Sequence, residues 1–146
     1  MKKHILVVDD DTLLTEMVSR CLTTKGYTVT TTNSGEEAFS FLAVHFFDLI
    51  LCDIHMDGKY GFAILAACKT MHPKTKVILC SGDVVYKTIS MAFKCGAESF
   101  LAKPFLTNEL RHQVSRCLGP EQHESPRKMP IQAQATKVVG REGCFA

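Results

Sequence analysis

Three stretches of this chain are apolar without alternation: ILVV at 5–8, LILC at 49–52 and VILC at 77–80. A strand with one face in water alternates apolar and polar side chains, whereas a strand covered on both faces reads as a continuous apolar run. These runs therefore require a sheet with packing layers above and below it. The stretch Tyr27–Thr31, YTVTT, is β-branched and more polar, which suits an edge strand. With Ser99–Leu101, the expected strands are His4–Val8, Tyr27–Thr31, Asp48–Cys52, Lys76–Cys80 and Ser99–Leu101.

Helical stretches fill the gaps. Thr12–Lys25 places Leu13, Met17 and Cys21 four residues apart, and Gly26 then supplies a stop. Asn33 or Ser34 can cap the next helix, with Glu36 and Glu37 in its first turn, where the helix dipole favours acid. A third helix runs from about Gly61 to Thr70, ahead of Pro73, and a fourth over Val84–Lys94, ahead of Gly96. A fifth has Thr107 as its expected cap and runs to Leu118, with Gly119-Pro120 as the stop. Strand–helix units repeated in this way, with right-handed crossovers, predict a doubly wound parallel α/β sheet. Sites in such sheets lie beyond the carboxyl ends of the strands.

A chain of 146 residues with 46% hydrophobic content suits one domain, expected over 1–119. Residues 120–146 carry Pro120, Pro126, Pro130, Gly140 and Gly143 and no sustained apolar period. They read as an appended tail, mobile or loosely docked. The formal charge of +2 is too small for a general polyanion-binding field. The chain has no long apolar run, and only five apolar residues precede Asp9, so neither membrane insertion nor a signal peptide is expected. A cytoplasmic location follows as the expectation. The seven cysteines are odd in number and include no CxxC pair, which argues against a disulfide framework or a zinc site. Cys52 and Cys80 end apolar runs and read as small buried hydrophobes.

The strand ends carry the chemistry. Asp9, Asp10 and Asp11 follow the first strand, Asp53 the third, Ser81 the fourth, and Lys103 stands shortly after the fifth. In a parallel sheet all of these meet at one edge. Carboxylates that close oppose one another's ionisation, and a divalent cation resolves the conflict. A ligand set of oxygens alone, without a histidine–cysteine cluster, favours Mg2+. A free carboxylate oxygen beside such an ion is a competent nucleophile towards phosphorus. Lys103 and the Ser81 hydroxyl could then take oxygens of a transferring phosphoryl group. Asp11 reads instead as the cap of the first helix.

In this order and spacing, the chain over residues 3–118 resembles the receiver domain of two-component response regulators. The pieces that carry the resemblance are ILVVDDD at 5–11, LILCDIHM at 49–56, VILCSGD at 77–83 and GAESFLAKPF at 96–105. The resemblance implies a flavodoxin-like, five-stranded sheet of order 2-1-3-4-5 with five flanking helices. It implies Asp53 as the phosphoacceptor. Asp10, Asp53 and the His55 backbone carbonyl would bind Mg2+, and Asp9 would act through water. Ser81 matches the family's switching hydroxyl, Lys103 its lysine, Pro104 its cis-peptide partner and Phe100 its switch aromatic. A sensor histidine kinase or phosphotransfer protein would supply the phosphoryl group. A downstream protein target would read the face made by the fourth helix, fifth strand and fifth helix. With four basic and three acidic residues and few apolar ones, the tail suggests neither a DNA-binding output domain nor direct nucleic-acid contact. The expected state is a monomer or weak dimer, and the chain is expected not to be an enzyme beyond phosphorylating and dephosphorylating itself.

The loop after the acceptor departs from the family's usual DxxMPxMDG. Asp57 replaces the proline and Tyr60 the second aspartate, while Gly61 is kept. His55 and Asp83 fall where the family tunes phosphoryl lifetime. Two other functions fit parts of the pattern. One is an Asp-nucleophile phosphohydrolase of the haloacid dehalogenase type, although Leu13 breaks its DxDx[TV] motif and no cap domain fits the length. The other is a pseudo-receiver that only binds, which the altered loop favours and the complete set Asp9, Asp10, Asp53, Ser81 and Lys103 opposes.

Overall fold

In the computed structural model, which describes residues 2–56 and 60–119, strands and helices alternate along the chain. The elements are β1 (His4–Val8), α1 (Thr12–Thr24), β2 (Thr28–Thr32), α2 (Gly35–Val44), β3 (Leu49–Asp53), α3 (Tyr60–Met71), β4 (Lys76–Ser81), α4 (Tyr86–Lys94), β5 (Ser99–Ala102) and α5 (Thr107–Leu118). The five strands form one parallel sheet in the order β2-β1-β3-β4-β5. The expected doubly wound, flavodoxin-like fold is therefore the one adopted. The expected tail at 120–146 lies outside the described residues.

Alternate residues of each central strand feed opposite layers, although the sequence there shows no alternation. Leu6, Val8, Ile50, Cys52, Val77 and Leu79 pack in the layer that holds Leu42 of α2, Ile64 and Leu65 of α3 and Ala92 of α4. Ile5, Val7, Leu49, Leu51, Ile78 and Cys80 pack in the other, with Val18 and Leu22 of α1 and Leu110 and Val114 of α5. Burying one such aliphatic side chain stabilises the fold by roughly 1.5–3 kcal/mol. A polar substitution on either face of β1, β3 or β4 would thus strike a core.

Four strands, β2 to β5, each end one residue later than the sequence suggests, β4 at Ser81. β2 starts at Thr28 because the Tyr27 N–H donates to Leu22 O at the end of α1 instead of to the sheet. β3 runs on to Asp53, which pairs with Cys80. β5 extends to Ala102, paired with Ser81, and the Lys103 N–H donates to Ser81 O beyond it. Of the Leu13, Met17, Cys21 row on α1, Met17 and Cys21 pack partly buried against the core. Val18 and Leu22 are buried, while Leu13, at the helix start above the sheet edge, is 78% exposed. At α5, Thr107 is the first helical residue and not the cap. Leu106 holds the cap position, and the Glu109 carboxylate accepts its N–H at 2.8 Å.

Candidate functional site

Strand register sets the level of the acids. Val8 pairs with Cys52, so Asp9 and Asp53 each stand one residue beyond that pair, at the same edge. Asp9 is held from several sides. Its N–H donates to Thr32 O, its Oδ1 accepts from the Asp11 N–H at 2.9 Å, and its carbonyl accepts from Asn33 Nδ2 at 2.7 Å. Asp11 caps α1 as expected, accepting the Leu14 N–H at 3.2 Å. On β3, Asp53 is backed by the start of α3. A side chain on Gly61 would place its Cβ 2.5 Å from Ile54 Cα and 2.6 Å from Asp53 O, so only glycine lets the helix approach the Asp53 backbone this closely.

Carboxylate oxygens of Asp9, Asp10 and Asp53 come within 4.8 Å of one another. Asp9 and Asp53 are buried and Asp10 is exposed. Lys103 enters from β5, across the cis Lys103–Pro104 bond, with Nζ 2.7 Å from Asp9 Oδ2 and 3.4 Å from Asp53 Oδ2. Burial and the neighbouring Asp9 push the Asp53 carboxyl above the usual carboxylate range, against the pull of Lys103 and the His55 N–H. Burial opposes charge on Lys103, but its hydrogen bond to Asp9 and the two carboxylates outweigh that, and its pKa is raised. The ammonium is therefore kept charged at the acid edge. One ammonium between two buried carboxylates still leaves an excess of negative charge, with Asp10 alongside. The donors there are all carboxylate oxygens, a chemistry that fits a hard divalent cation such as Mg2+.

Ser81, fully buried at the end of β4, accepts the Asp83 N–H through Oγ at 2.9 Å. The His55 ring reaches across to Asp83, with Nε2 3.8 Å from Oδ2, and both side chains are about half exposed. The His55 N–H points to Asp53 Oδ1 at 3.4 Å. Phe100 on β5 is half-buried against the α2–α3–α4 core layer. Asp57 lies outside the described residues, and Tyr60 opens α3. Cys52 and Cys80 lie buried behind the site, where burial and the nearby carboxylates push both thiols up, as inert core groups.

The edge thus gathers Asp9, Asp10, Asp53, Ser81 and Lys103 as the sequence suggests. The sequence reading missed Asn33 as a support of the Asp9 backbone, having weighed it only as a cap. Its signal was position: a side-chain amide just past an edge strand, level with the end of β1. It also missed how closely Gly61 lies against Asp53.

The sequence profile described as "Response regulator receiver domain" matches residues 5–115. The DNA-binding transcriptional regulator NtrC of Klebsiella pneumoniae is 32% identical over 135 residues, which are 92% of this chain and 29% of NtrC. The chain thus spans under a third of that relative's length. Among solved structures, the CheY-like response regulator receiver domain protein of Methanospirillum hungatei JF-1 superposes with a TM-score of 0.77 at 26% identity, covering 81% of this chain and 94% of that one. The BeF3-activated DrrB receiver domain gives 0.75 at 29% identity, covering 81% and 98%. The match across residues 5–115, joined to the same fold in solved receivers, establishes that this chain belongs to the response regulator receiver domain family of two-component signalling.

Proposed function

We propose that Asp53 accepts a phosphoryl group from the phosphohistidine of a sensor kinase or phosphotransfer protein. The observation that carries this reading is the meeting of Asp53 with Asp9, Asp10 and Lys103 at one sheet edge. An Asp53 carboxylate oxygen attacks phosphorus, the P–N bond to the donor imidazole breaks, and the imidazole leaves with the bond's electron pair. The product is an acyl phosphate, later hydrolysed by water to inorganic phosphate and free Asp53.

Asp10, Asp53 and the His55 carbonyl would hold Mg2+, with Asp9 acting through water. Bound there, the ion supplies charge neutralisation for the phosphoryl oxygens. Lys103 moves from its carboxylate partners to a phosphoryl oxygen, and the Ser81 hydroxyl donates to another. Ser81's shift lets Phe100 rotate inward and reshapes the α4–β5–α5 face, which a protein target reads. A phosphoryl group adds roughly two negative charges, enough to reorder these contacts.

The receiver unit is residues 1–119, with 120–146 as an appended segment. It works in the cytoplasm as a monomer or weak dimer. Because relatives such as NtrC extend far beyond the similar stretch, the output proposed here concerns the receiver alone. Incubation with acetyl phosphate and Mg2+ should give one acid-stable, base-labile phosphoryl group per chain, and chelation of Mg2+ should prevent it. Equal labelling in the presence of a chelator would refute the metal-assisted reading. Absence of labelling in both conditions would favour the binding-only pseudo-receiver.

A further inference from the structure

The sheet edge opposite the carboxylates, where the strands begin, has the reverse character. Helices α2, α3 and α4 all end there, and each leaves a large apolar side chain in water. Val44 closes α2 and Phe46 stands two residues on, 73% and 54% exposed, while Met71 of α3 and Phe93 of α4 are about half exposed. Contacts join the three helix ends. The Phe46 and His72 rings meet edge-on with centroids 5.9 Å apart, and His72 Nε2 donates to Leu42 O at 2.9 Å. The Lys69 stem lies over Gly96, just past α4, where an added Cβ would meet it at 3.4 Å. Lysines stand among the apolar tips. Lys2, Lys25, Lys74 and Lys94 are exposed at this edge, and Lys69 and Lys76 are half-buried. The acids beside them are engaged: Asp48 accepts the His4 N–H at 2.8 Å, and Glu98 faces Lys76 Nζ at 3.7 Å.

We propose that this edge docks on an anionic lipid surface. The lysines are drawn to the headgroups, and the apolar tips between them enter the interface. Attraction to anionic lipid joined to buried apolar area is what holds a peripheral protein on a membrane. The helix dipole favours cations at helix ends, which accounts for Lys69 and Lys94. It does not account for apolar side chains kept in water beside them. A protein partner would need a separate pocket for each tip, spread over helix ends about 8–10 Å apart. A lipid surface takes the tips in any arrangement. The contact is peripheral, since among the described residues no helix is long and apolar enough to cross a membrane. Charge also sets the orientation. The surface that attracts the lysine edge repels Asp9, Asp10 and Asp53 at the other, so the acid edge faces away from the lipid.

The test is sedimentation of the full chain with vesicles of phosphatidylcholine alone and of phosphatidylcholine mixed with phosphatidylglycerol. The parent chain should bind the anionic vesicles and not the neutral ones, and rising salt should weaken the binding, because the lysines are exposed. Lys74→Gln and Lys94→Gln should each weaken it about fivefold, as one charge does at an anionic surface. Phe46→Ser and Phe93→Ser should weaken it by a similar factor through lost apolar burial. Tyr86 and Lys87, both exposed, are the first two residues of α4, at the far end of that helix from Phe93 and Lys94. Tyr86→Ser and Lys87→Gln should therefore leave binding unchanged. No binding to anionic vesicles would overturn the proposal and leave the edge to an acidic protein or a second copy. Equal binding to neutral vesicles, or an equal loss in Lys87→Gln, would overturn it by showing that this edge is not what the lipid reads. Binding that survives all four substitutions at this edge would overturn it in favour of residues 120–146.

Discussion

Helices α1 and α4 both start at the site's edge, one behind Asp9 and Asp10 and the other behind Ser81 and Asp83, yet they are anchored very differently. α1 is 13 residues long, capped by the Asp11 side chain, and buries Thr15, Val18 and Leu22. α4 has 9 residues, the uncapped Val85 at its start, and Ala92 as its one buried residue. Tyr86, its first residue, is 86% exposed. The backbone beside Asp9 is tied down by Thr32, Asn33 and Asp11, whereas the Ser81 hydroxyl is met by the single amide of Asp83. Carboxylates that must converge on a metal need a fixed frame. An element that must change its packing is drawn from the weakly held part of a fold. The contrast between the two helices is the one that the proposed roles of Asp53 and Ser81 call for.

Substitutions that add or remove anchors test this contrast. The largest effect is expected at the seam between β3 and α3. Gly61→Ala forces a Cβ into Ile54 and Asp53 backbone and should cost about 3 kcal/mol in urea unfolding. Gly82→Ala, where an added Cβ meets nothing within 4 Å, serves as the mild control. Equal costs at both positions would show that α3 does not press on β3. Next in size, Asp11→Ala removes the cap of α1 and should cost about 1 kcal/mol. Val85→Ser gives α4 the cap it lacks and should stabilise by about 0.5–1 kcal/mol. A neutral result for both would remove the anchoring argument.

The smallest effect concerns charge. Asp53 has its carboxyl pKa raised by burial and by Asp9, so the folded state holds that proton more tightly than the unfolded chain does. Its stabilising contribution is present below the unfolded carboxyl pKa and is lost as pH rises through the folded one. Without divalent cations, Asp53→Asn should therefore gain in melting temperature relative to the parent chain as pH rises from the acid range to neutrality. Mg2+ should narrow the difference by stabilising only the parent. A gap that shrinks with rising pH in the absence of metal would contradict the assigned repulsion.

Much of this was legible in the sequence because strand ends in a parallel sheet must share an edge. Once ILVV, LILC and VILC are read as strands covered on both sides, Asp9, Asp53 and Ser81 have nowhere else to go. Strand limits were less legible for the same reason. A strand buried on both faces has no alternation to mark its last residue, so β3 ran on to Asp53 and β4 to Ser81. The exact face of α1 was not legible because Leu13, Leu14, Met17, Val18, Cys21 and Leu22 make two adjacent apolar rows; in the fold Val18 and Leu22 are fully buried, Met17 and Cys21 pack beside them, and Leu13 stays exposed. Tertiary ties such as Asn33 to the Asp9 carbonyl, or Asp83 to both His55 and Ser81, join residues whose spacing follows no local rule.

The central claim, that Asp53 is the acceptor, is tested most directly by mapping the acyl phosphate. The protein is treated with acetyl phosphate and Mg2+, the adduct is trapped by borohydride reduction, and the modified residue is located by mass spectrometry. The account predicts modification at Asp53 alone in the parent chain and none in Asp53→Asn. A label on Asp9 or Asp10, or undiminished labelling of Asp53→Asn, would contradict it.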